Sequence, residues 1–165
     1  MKKLYLVRHA KSSWSEPSLS DIDRPLNKRG MRDAPFMGKM LAAKGVKPDR
    51  IISSPAKRAH KTAKYFAKAM SIGKDDIVID RRIYDAFPED IFEIIREIDD
   101  RYQIVLLFGH NPTFTSFVNR FTNRFIDNVP TCGISGIESE AKTWEDFGTT
   151  NSELKVFYYP KQYFD

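Results

Sequence analysis

Cysteine is almost missing from this chain of 165 residues; Cys132 is the single copy. One thiol closes no internal disulfide, which fits a reducing compartment. Long apolar runs are missing too, and nothing approaches a membrane span. The run at residues 4–7 is cut off by Arg8 and is too short for the apolar core of a signal peptide. These absences lead us to expect a cytoplasmic protein without a membrane partner. Repeats, low-complexity tracts and linkers are also lacking, so one domain over residues 1–165 is expected. Histidine is scarce, with three copies. They lack metal-ligand spacing and no H-E-x-x-H is present, so no metal or other cofactor is expected.

What is present is ordinary for a globular domain, with 41% hydrophobic and 30% charged residues. The net charge is 27 − 22 = +5, which mildly favours anionic partners. Lys and Arg are spread along the chain instead of clustered. That argues against nucleic acid and leaves phosphorylated molecules.

Strand and helix patterns alternate. Residues 4–7, 50–53, 77–79 and 104–108 read as strands, the last (IVLLF) as a central parallel one buried on both faces. Residues 154–158 read as a late strand, and 134–137 as an edge strand. Ser54 with Pro55, and Asn111 with Pro112, look like helix starts, each a capping residue followed by Pro at the first helical position. A helix runs within residues 27–44; Pro35 either kinks it or makes it start late with Asp33 as its cap. A shorter helix is expected at 90–98. This order predicts an α/β domain with a mostly parallel sheet, whose ligands bind beyond the carboxyl ends of the strands.

Three of those strand ends carry chemistry. The first ends in Arg8 and His9. The second runs into SSPAKRAHKTA, which holds Arg58. The fourth runs into FGHNP, which holds His110. If the strands are parallel, two arginines and two histidines converge. Paired guanidinium forks match phosphate oxygens. A neutral imidazole can attack phosphorus, and nearby cations help to keep it neutral. His60, on the exposed side of a Lys-rich helix, reads as an ordinary surface residue. Cys132 fails the pattern of a cysteine nucleophile on phosphate, because Glu138 stands where that chemistry places Arg. It is expected to be a small buried hydrophobe. The pair Asp21 and Asp23 follows SEPSLS, not an apolar strand, so an aspartate nucleophile is rejected.

LVRHA, SSPAKRAHKTA, FGHNP and the loop DRPLNKRG resemble, in order and spacing, the motifs of the histidine phosphatase superfamily. Short chains with RHA look most like its SixA-like phosphohistidine phosphatases. Ala10 replaces the usual Gly of the first motif, and Lys61 replaces the usual Gln of the second. The resemblance implies a phosphoglycerate mutase-like three-layer sandwich, with helices on both faces of the sheet. It implies a metal-independent phosphohydrolase in which His9 becomes phosphorylated and Arg8, Arg58 and His110 complete the phosphate pocket. Many members carry a Glu that protonates the leaving group; here Asp85 is the acid candidate and Glu89 competes with it. Ser12 is a further substrate-binding candidate. The expected substrate is a phosphohistidine-bearing signalling protein or a small phosphorylated molecule. A non-catalytic phosphate-binding module and a mutase-type phosphotransferase are the alternatives.

Overall fold

The computed structural model describes residues 1–164. Six strands form one sheet: β1 (Lys2–Arg8), β2 (Arg50–Ser53), β3 (Ile77–Ile79), β4 (Ile104–Gly109), β5 (Ile134–Ser139) and β6 (Ser152–Tyr158). Their spatial order is β3-β2-β4-β1-β5-β6. The first four pair in parallel, and β5 pairs antiparallel with both β1 and β6. The expected α/β domain with a mostly parallel sheet is present. The stretch at 134–137 is not an edge strand, however. It lies inside the sheet, and β6 takes the edge.

Four helices cover the sheet: α1 (Lys28–Ala43), α2 (Lys57–Ala69), α3 (Pro88–Arg96) and α4 (Thr113–Val118). Side chains alternate along each strand, so each strand feeds both faces. Leu4, Leu6, Ile52, Val105 and Leu107 pack with Ile91, Ile95, Phe114 and Phe117 of α3 and α4. Val7, Ile51, Leu106 and Phe108 pack with Met37, Leu41, Ala63 and Phe66 of α1 and α2. That is a three-layer arrangement, and it explains the unbroken apolar run of β4. Each of these Val, Leu, Ile, Phe and Met side chains contributes about 1.5–3 kcal/mol through burial.

Several helix boundaries differ from expectation. Asn27 caps α1, its Oδ1 accepting the Gly30 N–H at 2.9 Å. Asp33 is therefore inside the helix, where it is buried and paired with Arg29 and Arg32. α2 begins at Lys57, not Pro55, and α3 begins at Pro88, with Asp90 accepting the Phe87 N–H at 2.8 Å. α4 begins at Thr113, after a cis Asn111–Pro112 bond. Asn111 Oδ1 accepts from both the N–H and the hydroxyl of Thr115, at 3.1 and 2.9 Å. Both Pro-containing segments are short non-helical links between a strand end and the helix that follows it.

Candidate active site

Strand register sets the site. Arg8 of β1 lies opposite Gly109 of β4, and Ser53 of β2 lies opposite Phe108. The three carboxyl ends are therefore level. The pairing continues one residue further, with the His9 N–H on the Gly109 carbonyl and the Ser54 N–H on the Phe108 carbonyl, each at 3.0 Å. Gly109 is required here, because a Cβ would lie 2.6 Å from Phe114 and 2.8 Å from Ile83.

The chain after His9 is tied down on both sides. Ala10 donates its N–H to Thr62 Oγ1 at 3.0 Å, and Thr62 donates to the Arg58 carbonyl at 2.7 Å. The Lys11 carbonyl accepts the Asn27 N–H at 3.0 Å. It also lies so close to Gly30 that a Cβ there would sit 2.2 Å from its oxygen. Asn27 and Gly30 of DRPLNKRG thus lock the loop that follows His9 onto the start of α1.

His9 is 8% exposed. Its Nδ1 lies 2.7 Å from the Ala10 carbonyl. A carbonyl can only accept, so Nδ1 carries the proton and the Nε2 lone pair is exposed for chemistry. Burial, above all, holds the imidazole at a pKa of about 3, with His110, Arg58 and Arg8 adding to the fall. It is neutral at pH 7. The His110 ring stands 5.3 Å from it, centroid to centroid. Burial, and then Arg58, pushes His110 down to about 4. Its Nε2 meets Ser54 Oγ at 2.7 Å. That oxygen also accepts the Ala56 N–H and keeps one lone pair and one proton, so it pairs with either neutral tautomer of His110.

The guanidinium groups are anchored from behind. Arg8 Nη1 donates to the Val129 carbonyl at 2.8 Å. Arg58 Nη1 and Nη2 donate to the carbonyl and carboxylate of Asp21, at 2.7 and 3.0 Å. Asp21 also accepts from Tyr84 at 2.5 Å and from Arg24 at 2.9 Å. These donors, Tyr84 first, hold its carboxyl well below the usual range. Four buried polar atoms have no hydrogen-bond partner among the described residues: Arg8 Nε, Arg58 Nε and His110 Nδ1 at the site, and Ser135 Oγ on β5. Both guanidinium Nε atoms carry protons, and buried donors are rarely left unpaired, so two of them beside two neutral imidazoles mark a place for an anion. A cavity of about 490 Å³ opens beside Arg58 and His110, lined also by Asp21, Tyr84, Asp85 and Phe87 among others, with Arg8 and His9 behind its lining.

Residues 4–87 match the family model of the histidine phosphatase superfamily (branch 1). The chain belongs to that superfamily. Its fold superposes on the crystal structure of the putative phosphohistidine phosphatase SixA from Agrobacterium tumefaciens with a TM-score of 0.81. The two chains are 28% identical, and the match covers 96% of this chain and 98% of that one. An uncharacterized protein of Mycobacterium tuberculosis is 29% identical over 165 residues, covering 94% of this chain and all of its own length. Phosphoglycerate mutase 1 of Saccharomyces cerevisiae is 40% identical over 65 residues, covering 38% of this chain and 26% of its own. Phosphatase chemistry on an α/β sandwich is what the superfamily and the SixA-like fold assign to the chain.

Within this histidine phosphatase, Arg8, His9, Arg58 and His110 come together as their strand ends require. Asp85 lines the cavity from the other side, exposed and with a left-handed backbone (φ 58°). Glu89 points elsewhere, paired with Arg120 at 3.0 Å. Ser12 does not line the cavity; it is buried and its hydroxyl accepts from Arg24. His60 is half-buried on α2 and outside the cavity. Buried Cys132 supports the site through its backbone, its N–H bonding the Arg8 and His9 carbonyls at 3.0 Å each. Ala10 is fully buried, so a methyl is accommodated where the family usually has Gly. Sequence reasoning overlooked Asp21, Tyr84 and Ser54. Asp21 and Asp23 had drawn notice only as a rejected nucleophile pair, and Ser54 only as a cap.

Proposed function

We propose that this chain is, over its whole length, a single catalytic domain that hydrolyses phosphorylated substrates through a phosphohistidine intermediate on His9. The neutral imidazole with its Nε2 lone pair, in a site with two unpartnered guanidinium donors, carries the reading. In the first step Nε2 forms a bond to phosphorus, and the bond from phosphorus to the leaving atom breaks with its electron pair on that atom. The leaving group then takes a proton. In the second step water attacks the phosphorus, the phosphorus–Nε2 bond breaks and inorganic phosphate leaves, while the water's proton passes to phosphate or solvent. Arg8 and Arg58 take the equatorial oxygens through their remaining N–H groups, and His110, in the tautomer with its proton on Nδ1, supplies a third donor.

Phosphohistidine in a protein is the substrate favoured here. An imidazole leaves with less help from an acid than an alkoxide does. Of the two carboxylates lining the cavity, Asp21 is held by Arg58, Arg24 and Tyr84, while Asp85 is exposed and has no donor among the described residues. Asp85 is the acid for phosphoesters in this scheme. We place the activity in the cytoplasm on the strength of the lone buried thiol; no helix among the described residues is long and apolar enough to cross a membrane. The test is a substrate panel of phosphohistidine peptide, phosphoserine, phosphotyrosine and sugar phosphates, run beside His9→Ala. Preference for phosphohistidine with loss of all turnover in the variant is expected. Equal turnover by the variant would overturn the scheme.

A further inference from the structure

Two cavities meet at the start of α4. The one over Arg58 and His110 shares Asn111, Pro112 and Ser116 with a second, of about 690 Å³, which Phe125 and Asp127 line. Together they make one groove running away from His110. Its walls carry two of the most exposed aromatic side chains of the described residues, Phe87 at 73% and Phe125 at 79%. Its charge is the reverse of the chain's. Asp21, Asp85 and Asp127 line it, and Arg58 is the one cation among the described lining residues. A chain of net charge +5 thus places two further carboxylates, Asp85 and Asp127, along the groove beside its phosphate clamp, Asp21 being paired with Arg24 and Arg58.

We infer that this groove receives the polypeptide on either side of a phosphorylated residue, with a basic side chain against the carboxylates and an apolar one over Phe125. The inference rests on the phosphohydrolase reading, in which the phosphoryl group occupies Arg58. Once that cation is taken, the walls are net negative. They attract flanking Lys or Arg and repel acidic small phosphates by like charge. Exposed aromatic rings lose little side-chain freedom on binding and supply large apolar contact. A phosphorylated metabolite would end near Asp85 and leave Phe125 uncovered; a peptide reaches it.

The test compares kcat/KM for three probes: a phosphohistidine peptide flanked by Lys and Leu, the same peptide flanked by Glu, and free phosphohistidine. Wild type should prefer the Lys/Leu peptide to both others by about tenfold. Phe125→Ser should remove the advantage over free phosphohistidine, and Asp127→Lys should remove the preference for Lys over Glu. Both positions are exposed and outside the catalytic group, so turnover of free phosphohistidine should not change in either variant. Equal kcat/KM for the three probes in wild type, or variants that keep the wild-type preferences, would overturn the groove. Failure to hydrolyse any of the three, and phosphoserine, phosphotyrosine and sugar phosphates as well, would overturn the phosphohydrolase reading beneath it.

Discussion

Replacing His9 with Gln should abolish activity and, at the same time, make the fold less sensitive to acid. Burial holds His9 at a pKa of about 3, against 6.5 for an unperturbed imidazole. Between these values the unfolded chain binds a proton at His9 and the folded chain does not, so acid pulls toward unfolding. The sign follows from linkage: stability attributable to this residue is complete above pH 6.5 and is lost as pH falls toward the folded value. Integrated from pH 8 down to pH 5, a shift from 6.5 to about 3 costs the fold about 2 kcal/mol at this one position. Gln does not titrate. Urea unfolding of wild type and His9→Gln at pH 8 and pH 5 gives four free energies. The pH 8-to-5 loss should be smaller in the variant by about 2 kcal/mol. His110 and the carboxylates titrate in both proteins and cancel. An unchanged loss in the variant would mean that His9 is not held neutral by burial, and the basis for its nucleophilicity would fall.

Arg58→Lys keeps the charge but loses the Nε–H and the two-point grip on Asp21; kcat/KM should drop by about 10²–10³ in steady-state assays. Gly30→Ala drives a methyl into the Lys11 carbonyl, and thermal or urea unfolding should show a loss of about 1–3 kcal/mol together with lower activity. Asp85→Asn should lower phosphoester turnover and spare phosphoramidate turnover on the same panel, since the two leaving groups differ in their need for a proton.

Much of this was legible because the strand ends carry it. β4 announces itself as an apolar run because it is buried on both faces, and Arg8, His9 and His110 are the first polar residues past such runs. The helix starts were offset by one or two residues. Ser54 and Asn111 do accept backbone N–H groups, from Ala56 and from Thr115 of α4, but the helices begin at Lys57 and Thr113, and Ser54 also meets His110. The anchors of the clamp were unreadable. Arg8 leans on the backbone of Val129, 121 positions away, and a carbonyl has no sequence signature. Asp21 meets Arg58 across 37 positions and Tyr84 across 63, through a loop with no periodic pattern. The interior place of β5 depended on its antiparallel pairing with both neighbours, which its own short apolar run does not encode.

In this scheme His9 carries the phosphoryl group during turnover. Brief incubation with radiolabelled phosphohistidine peptide, an alkaline quench and peptide mapping show whether it does. Label is expected on the peptide containing His9, stable to base, lost in acid and missing from His9→Gln. Label on another residue, or turnover with no trapped phosphoenzyme in rapid-quench samples, would contradict the scheme.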